Sequence, residues 1–271
     1  MLIRRVPWTR QPQAPTRLSR HVADASFFWS GGGASQHDAV TGTRGVGTFA
    51  FAPTAGGLGF DMTASRTPYF DTPRTDVVSR YATAGYTAYI RCVLGGSVSD
   101  LSLLNAGDIF GNLSLYLNQY TTNNIYAAVR QSSGLTFSTL GFSPGVGKVT
   151  SVAVAWGVDG TGFDFWGDGL IRSTSAAINR DSLIATSTRV QLNTFGLTGS
   201  QLIYALIVPR KLPDSVLRDL HWEPERVLFD PRRIIVPVSV AEGGGATGTV
   251  AVTLAPDTSI ASGTTAVVGT A

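Results

Sequence analysis

The stretch KVTSVAVAWGVDGTGFDFWGDG, residues 148–169, constrains the fold more than any other part of this chain. Val152, Val154, Trp156 and Val158 fall at every second position, with Ser151, Ala153 and Ala155 at the alternate positions. Side chains alternate across a strand, so this spacing predicts a strand with one buried face. Asp159-Gly160, with Gly162 close behind, predicts a turn, because Asp and Gly tolerate positive φ. Residues 163–166 form the return strand, and Gly167-Asp168-Gly169 turns the chain again. The result is a compact antiparallel meander rich in aromatics, with no obvious catalytic group in it.

Composition extends the β reading to the rest of the chain. The 271 residues hold 43% hydrophobic residues, enough for one large core, while 31 glycines and only 14% charged residues favour short strands and tight turns. Lys148 and Lys211 are the only lysines, and the only glutamates are Glu223, Glu225 and Glu242. Cys92 is the sole cysteine, so neither an intrachain disulfide nor a thiolate metal site can form. The opening MLIRRVPWTRQPQAPTR lacks the apolar run of a secretory signal, and no stretch approaches the roughly 18 apolar residues of a membrane span. Assembly in the cytoplasm is the simplest expectation.

The chain divides into four regions. Residues 1–22 read as an extended basic arm: Pro7, Pro12 and Pro15 oppose regular structure, and Arg4, Arg5, Arg10, Arg17 and Arg20 have no acidic residue among them. The arm is either a solvated tail or a docking peptide with Trp8 as buried anchor, since Trp and Arg dominate interfaces. Nucleic acid is disfavoured, because no folded reader accompanies the arginines. Residues 23–221 hold strands at regular spacing, among them SFFWS at 26–30, 86–94, 111–118, 125–130, 189–197 and 201–209. Tyr86, Ala88, Ile90, Cys92 and Leu94 share one strand face. In 201–209, Leu202, Tyr204, Leu206 and Val208 are assigned to one side and Ile203, Ala205 and Ile207 to the other, so both faces are covered. One short helix is expected at 214–221, with Val216, Leu217 and Leu220 as its apolar stripe. Residues 222–240 should stay extended through their prolines. Residues 241–271 open with a glycine linker and continue as a β-rich tail, either paired with another chain or element, or disordered.

The opening SFFWSGGGASQHDAVTG, the strands at 86–94 and 111–118, VTSVAVAWGVDGTGFDFWGDG and YALIVPRKLPDSVLRDL together resemble the laminin G-like, concanavalin A-like jelly roll. Pro213 stands where that pattern usually has Ser. The resemblance covers roughly three quarters of the chain and implies an all-β, two-sheet antiparallel sandwich. WEPERVLFDPRRIIVPVS and VPWTRQPQ are similar to terminal elements of laminin G-like proteins of tailed bacteriophages. That resemblance implies a structural protein of the virion, as a head decoration, head fibre or tail appendage. Its partners would be capsid, portal, connector or tail proteins. Attachment would run through Trp8, Arg4, Arg5, Arg10, Trp222, Phe229, Arg232 and Arg233. A homo-oligomer, a trimer by preference, fits the local symmetry of such particles.

Chemistry has few residues to use. Retaining glycosidases need two carboxylates about 5 Å apart, and this chain has no glutamate before residue 223. Asp159, Asp164 and Asp168 are the nearest carboxylate cluster, and Asp159 and Asp168 sit in Asp-Gly turns, where Asp is favoured for backbone reasons. His21, His37 and His221 are scattered, and no G-x-S-x-G elbow occurs, so a Ser-His-Asp triad is not suggested. No enzymatic activity and no cofactor are expected. Calcium is the one metal worth weighing, with Asp38, Asp100 and Asp108 as contributors, although no dense Asp/Asn loop exists. A sugar site needs an aromatic platform with placed polar groups. Tyr116, Asn118 and Tyr120, or Trp166 with Asp168, have those residue types, so a lectin-like module contacting a host-surface glycan is the alternative function.

Overall fold

The computed structural model describes residues 18–31, 36–54, 57–61, 69–71, 85–95, 101–106, 113–118, 124–131, 134–137, 141–157, 162–174, 189–192 and 200–229. Contacts divide the chain into two units, Met1–Phe229 and Asp230–Ala271, and all described residues lie in the first.

The protein is a two-sheet antiparallel sandwich. The larger sheet runs β12 (Leu170–Thr174), β11 (Asp164–Gly167), β10 (Val149–Trp156), β5 (Tyr86–Val93), β14 (Gln201–Val208), β3 (Gly57–Asp61) and β2 (Phe51–Thr54), with β1 (Phe27–Ser30) also paired to β14. The smaller sheet runs β4 (Tyr69–Asp71), β13 (Arg189–Leu192), β6 (Leu101–Ala106), β7 (Leu113–Asn118), β8 (Asn124–Gln131) and β9 (Gly134–Phe137). Two short helices complete the unit, α1 (Asp214–Trp222) and α2 (Pro224–Leu228).

Two apolar cores account for this layout. The inter-sheet core collects Trp29, Phe70, Tyr86, Ile90, Val154, Trp156, Phe165 and Leu192 from both sheets. The predicted face of β5 is all there: Tyr86, Ala88, Ile90, Cys92 and Leu94. A second core forms on the opposite face of the larger sheet, where Phe28, Tyr89, Ala153, Trp166 and Leu206 meet Val216, Leu217, Leu220, Val227 and Leu228 of the helices. Ala153 and Ala155 therefore lie under cover too, and β10 is buried on both faces.

In β14 the expected faces need correction. The register of β14 on β5 shifts between Leu202 and Tyr204. Leu202 joins Ala205 and Ile207 in the inter-sheet core, while Ile203 and Tyr204 both face the helices. A bulge adds one residue to a strand and moves the residues beyond it to the other face.

The predicted meander is present. β10 pairs with β11, and β11 with β12 through the hairpin closed by Gly167 and Leu170. Asp168 (φ 50) and Gly169 (φ 72) both take left-handed conformations, as a two-residue hairpin with the sheet's twist demands. The Asp159-Gly160 turn lies outside the described residues.

Two boundaries differ from expectation. Pro224–Leu228 is helical rather than extended, because proline at the first helical position removes only an N–H that has no intrahelical partner. Leu18, Ser19 and Val22, expected in the arm, belong to the folded unit. Leu18 bridges Phe229, Ser19 N–H donates to the Leu228 carbonyl at 3.0 Å, and Val22 is fully buried.

Two glycines separate conformational from steric cost. Gly42 (φ 71) has open space where a Cβ would stand, whereas a Cβ on Gly85 (φ 81) would meet the Trp156 carbonyl oxygen at 2.6 Å. Gly42→Ala should cost about 1 kcal/mol. Gly85→Ala should cost clearly more, because backbone cannot move aside; urea denaturation of both variants measures the difference.

Candidate functional site

Two groups of polar and aromatic side chains stand out, one on each outer side of the sandwich. The first lies beneath the C-terminus of α1. The last carbonyls of a helix lack intrahelical donors, and here strand side chains supply them. Tyr89 Oη donates to the Leu220 carbonyl at 2.8 Å and an Arg91 guanidinium nitrogen to the His221 carbonyl at 2.7 Å. The arginine charge also complements the negative end of the helix dipole.

His221 Nδ1 lies 2.8 Å from Ser151 Oγ and 3.6 Å from Asp168 Oδ1. Ser, His and Asp thus come together, which the scattered histidines did not suggest. The arrangement is no proton relay, because one ring nitrogen faces both partners, whereas a triad uses the two nitrogens for different partners. Ser151 is also buried. Asp168 Oδ1 accepts from Thr150 Oγ at 2.7 Å and from the Ser151 backbone N–H at 3.0 Å. The group therefore fastens the β11–β12 turn and α1 to the sheet. Burial lowers the His221 pKa; Asp168 opposes this, and Arg91 and Arg172 add to it. Burial also raises the Tyr89 hydroxyl and pushes the Cys92 thiol up to about 12, so neither is a nucleophile near neutrality.

The second group lies on the outer face of the smaller sheet. Ile125 and Ala127 of β8 enter the inter-sheet core, so alternation turns the half-buried Tyr126 outward. By register Tyr126 stands opposite Tyr116, and Asn124 opposite Asn118. Gly141 adjoins Phe142, which bridges Ile125. A Cβ on Gly141 would fall 2.6 Å from Tyr126 Cζ and 2.9 Å from both Cε atoms. Equal Cε distances this short place Gly141 beneath the face of the ring, not at its edge. Farther across the same sheet, the Arg189 guanidinium sits 4.2 Å from the Tyr69 ring centroid and bonds Asp71 at 2.7 Å, a cross-strand pairing of β4 with β13.

The residues expected to act fare differently. Trp166 is 4% exposed within the helix-side core and its indole N–H has no partner among the described residues, so it offers no face to a sugar. Asp168 is engaged with Thr150 and Ser151. Phe229 packs on Phe28 and Tyr204 at centroid distances of 5.7 and 6.2 Å, and its ring belongs to the core instead of projecting as an anchor. Trp222 is 70% exposed. Tyr116 and Asn118 take the register positions given above. Asp38 is buried and accepts from the backbone N–H groups of Phe28, Val40 and Thr41 and from Thr41 Oγ1. Its carboxylate closes a loop, and burial raises its pKa against those bonds. No cluster of metal-ligating side chains occurs among the described residues. Trp8, Arg4, Arg5, Arg10, Tyr120, Asp100, Asp108, Arg232 and Arg233 lie outside them. Sequence reasoning missed Tyr126; the alternation of Ile125 and Ala127 was its available signal.

No family model matches the chain, and no curated protein matches it in sequence. Among solved structures the sandwich is similar to the receptor-binding domain of botulinum neurotoxin C/D mosaic serotype, with TM-score 0.59 and 8% identity over 73% of this chain and 51% of that one. It is also similar to a structure of botulinum neurotoxin type C, described as dependent on two ganglioside molecules for cell entry (TM-score 0.57, 9% identity, 73% and 50% covered). A third is the binding domain of botulinum neurotoxin DC in complex with SialylT (TM-score 0.57, 10% identity, 73% and 51% covered). The chain spans about half the length of these domains. At such identities the shared property is the fold, a jelly-roll-like β-sandwich.

The His221 contacts generate a pH test. Its folded pKa is lowered, so the unfolded chain takes up a proton that the folded protein resists. Stability is complete above about pH 6.5 and falls as pH drops below it. Thermal melting across that range should show the midpoint declining in the native protein and a shallower decline in His221→Gln.

Proposed function

We propose that this sandwich is a non-enzymatic carbohydrate-binding module. The observation that carries the reading is the fold it shares with neurotoxin receptor-binding domains, two of whose structures are described by ganglioside and SialylT recognition. The outer face of the smaller sheet adds a part-exposed tyrosine with amide-bearing residues at neighbouring register positions. The absence of glutamate before residue 223 argues against a paired-carboxylate hydrolase. An array of bacterial-surface and animal oligosaccharides tests the reading. Binding to a defined subset is the expected outcome, and a blank array at high protein concentration would sink it.

The setting we propose is a bacteriophage particle, assembled in the host cytoplasm, with a host-surface glycan as target. VPWTRQPQ and WEPERVLFDPRRIIVPVS support it through their resemblance to phage proteins. The Leu18–Phe229 bridge supports it physically. It sets Leu18 and Phe229 side by side, a placement suited to a common attachment to capsid, portal, connector or tail proteins. A trimer would suit such a site. Deleting residues 1–17 or 230–271 should abolish incorporation into particles while leaving the melting midpoint of the sandwich nearly unchanged. Unimpaired incorporation of both truncations, scored by immunoblot of purified particles, would overturn the attachment.

A further inference from the structure

We propose that Tyr126, laid flat on Gly141, is the platform on which a pyranose ring stacks through its C–H face. The inference rests on the carbohydrate-binding reading and gives it a specific residue. A stacking platform must be aromatic, fixed in orientation, and open on one face. The Cζ and Cε distances at Gly141 show that one face of the Tyr126 ring covers this glycine. The ring therefore lies along the sheet rather than standing up from it, and its opposite face is directed outward. A side chain at residue 141 would lift it, so the missing Cβ sets the ring's tilt. Tyr126 is only half-buried, and its hydroxyl has no hydrogen-bond partner among the described residues. That hydroxyl is able to donate to or accept from a sugar hydroxyl at the edge of a stacked ring. Tyr116 opposite Tyr126, and the Asn118–Asn124 pair two residues further along the hairpin, put a second aromatic and two amides at nearby register positions of the two strands.

Other described aromatics serve less well. The Arg189 guanidinium covers the Tyr69 ring at 4.2 Å. Phe142 is 8% exposed, with the Arg172 guanidinium 4.6 Å from its centroid. Trp222 is open at 70%, but it ends α1 on the far side of the sandwich, with the His221 ring edge-on to it at 4.5 Å.

The test uses the strongest binder from the oligosaccharide array, titrated calorimetrically into the full chain and its variants. Tyr126→Ala should weaken binding about tenfold or more. Gly141→Ala should weaken it comparably by tilting the ring. Tyr126→Phe should retain most of the affinity, and Trp222→Ala should match the native protein. In native protein with labelled tyrosines, the Tyr126 ring resonances should shift as the glycan is added, a readout that needs no variant to fold. Native-like affinity in Tyr126→Ala, or unmoved Tyr126 resonances with bound glycan, would overturn the platform and leave the carbohydrate reading standing. A blank array would overturn both.

Discussion

A strand covered on both faces has to be apolar on both faces, and the larger sheet depends on such strands, β5, β10 and β14 among them. β10 and β14 carry an inter-sheet core on one side and a helix-side core on the other. Burying a Leu, Ile, Val or Phe side chain contributes on the order of 1.5–3 kcal/mol, so stability concentrates along these strands. The bulge at β14 matters for the same reason. By placing Ile203 and Tyr204 together on the helix side, it gives Tyr204 a position from which its hydroxyl reaches Glu225 Oε1 at 3.1 Å.

The helices are consequently part of the fold rather than an appendage to it. Their apolar stripe seals the second core, and the sheet answers at the C-terminus of α1 through Tyr89, Arg91 and Ser151. Ser, His and Asp placed close together need not make a catalyst. The shared use of Nδ1 and the burial of Ser151 turn the same residue types into a fastening. That side of the sandwich is covered by the helices, whereas Tyr126 on the outer face of the smaller sheet is only half-buried.

Period-two patterning made the sandwich legible in the sequence. The strands of the 148–169 stretch and the inward face of β5 lie where alternation put them, because that rule is local. What failed was non-local or depended on an exception. The β14 bulge inverts a face without any sequence mark that alternation detects. Pro224 reads as a helix breaker unless it stands at the first turn, and its position in α2 is known only from the fold. Trp166 has the residue type of a sugar platform, but burial under α1 and α2 removes it, and that burial arises from packing between distant segments. Tyr126 is the converse: its outward direction was readable from Ile125 and Ala127, while its seat on Gly141 joins β8 to a segment beyond β9.

The Leu18–Phe229 bridge carries a mechanical consequence. Leu18 and Phe229 are paired antiparallel, so tension drawn equally through these two residues pulls the sandwich as one body. Tension through Leu18 alone instead peels Ser19 from the carbonyls of Val227 and Leu228, one hydrogen bond at a time. Loaded on both residues the domain behaves as a post on two legs, and loaded on one it is a zipper whose first teeth are at α2.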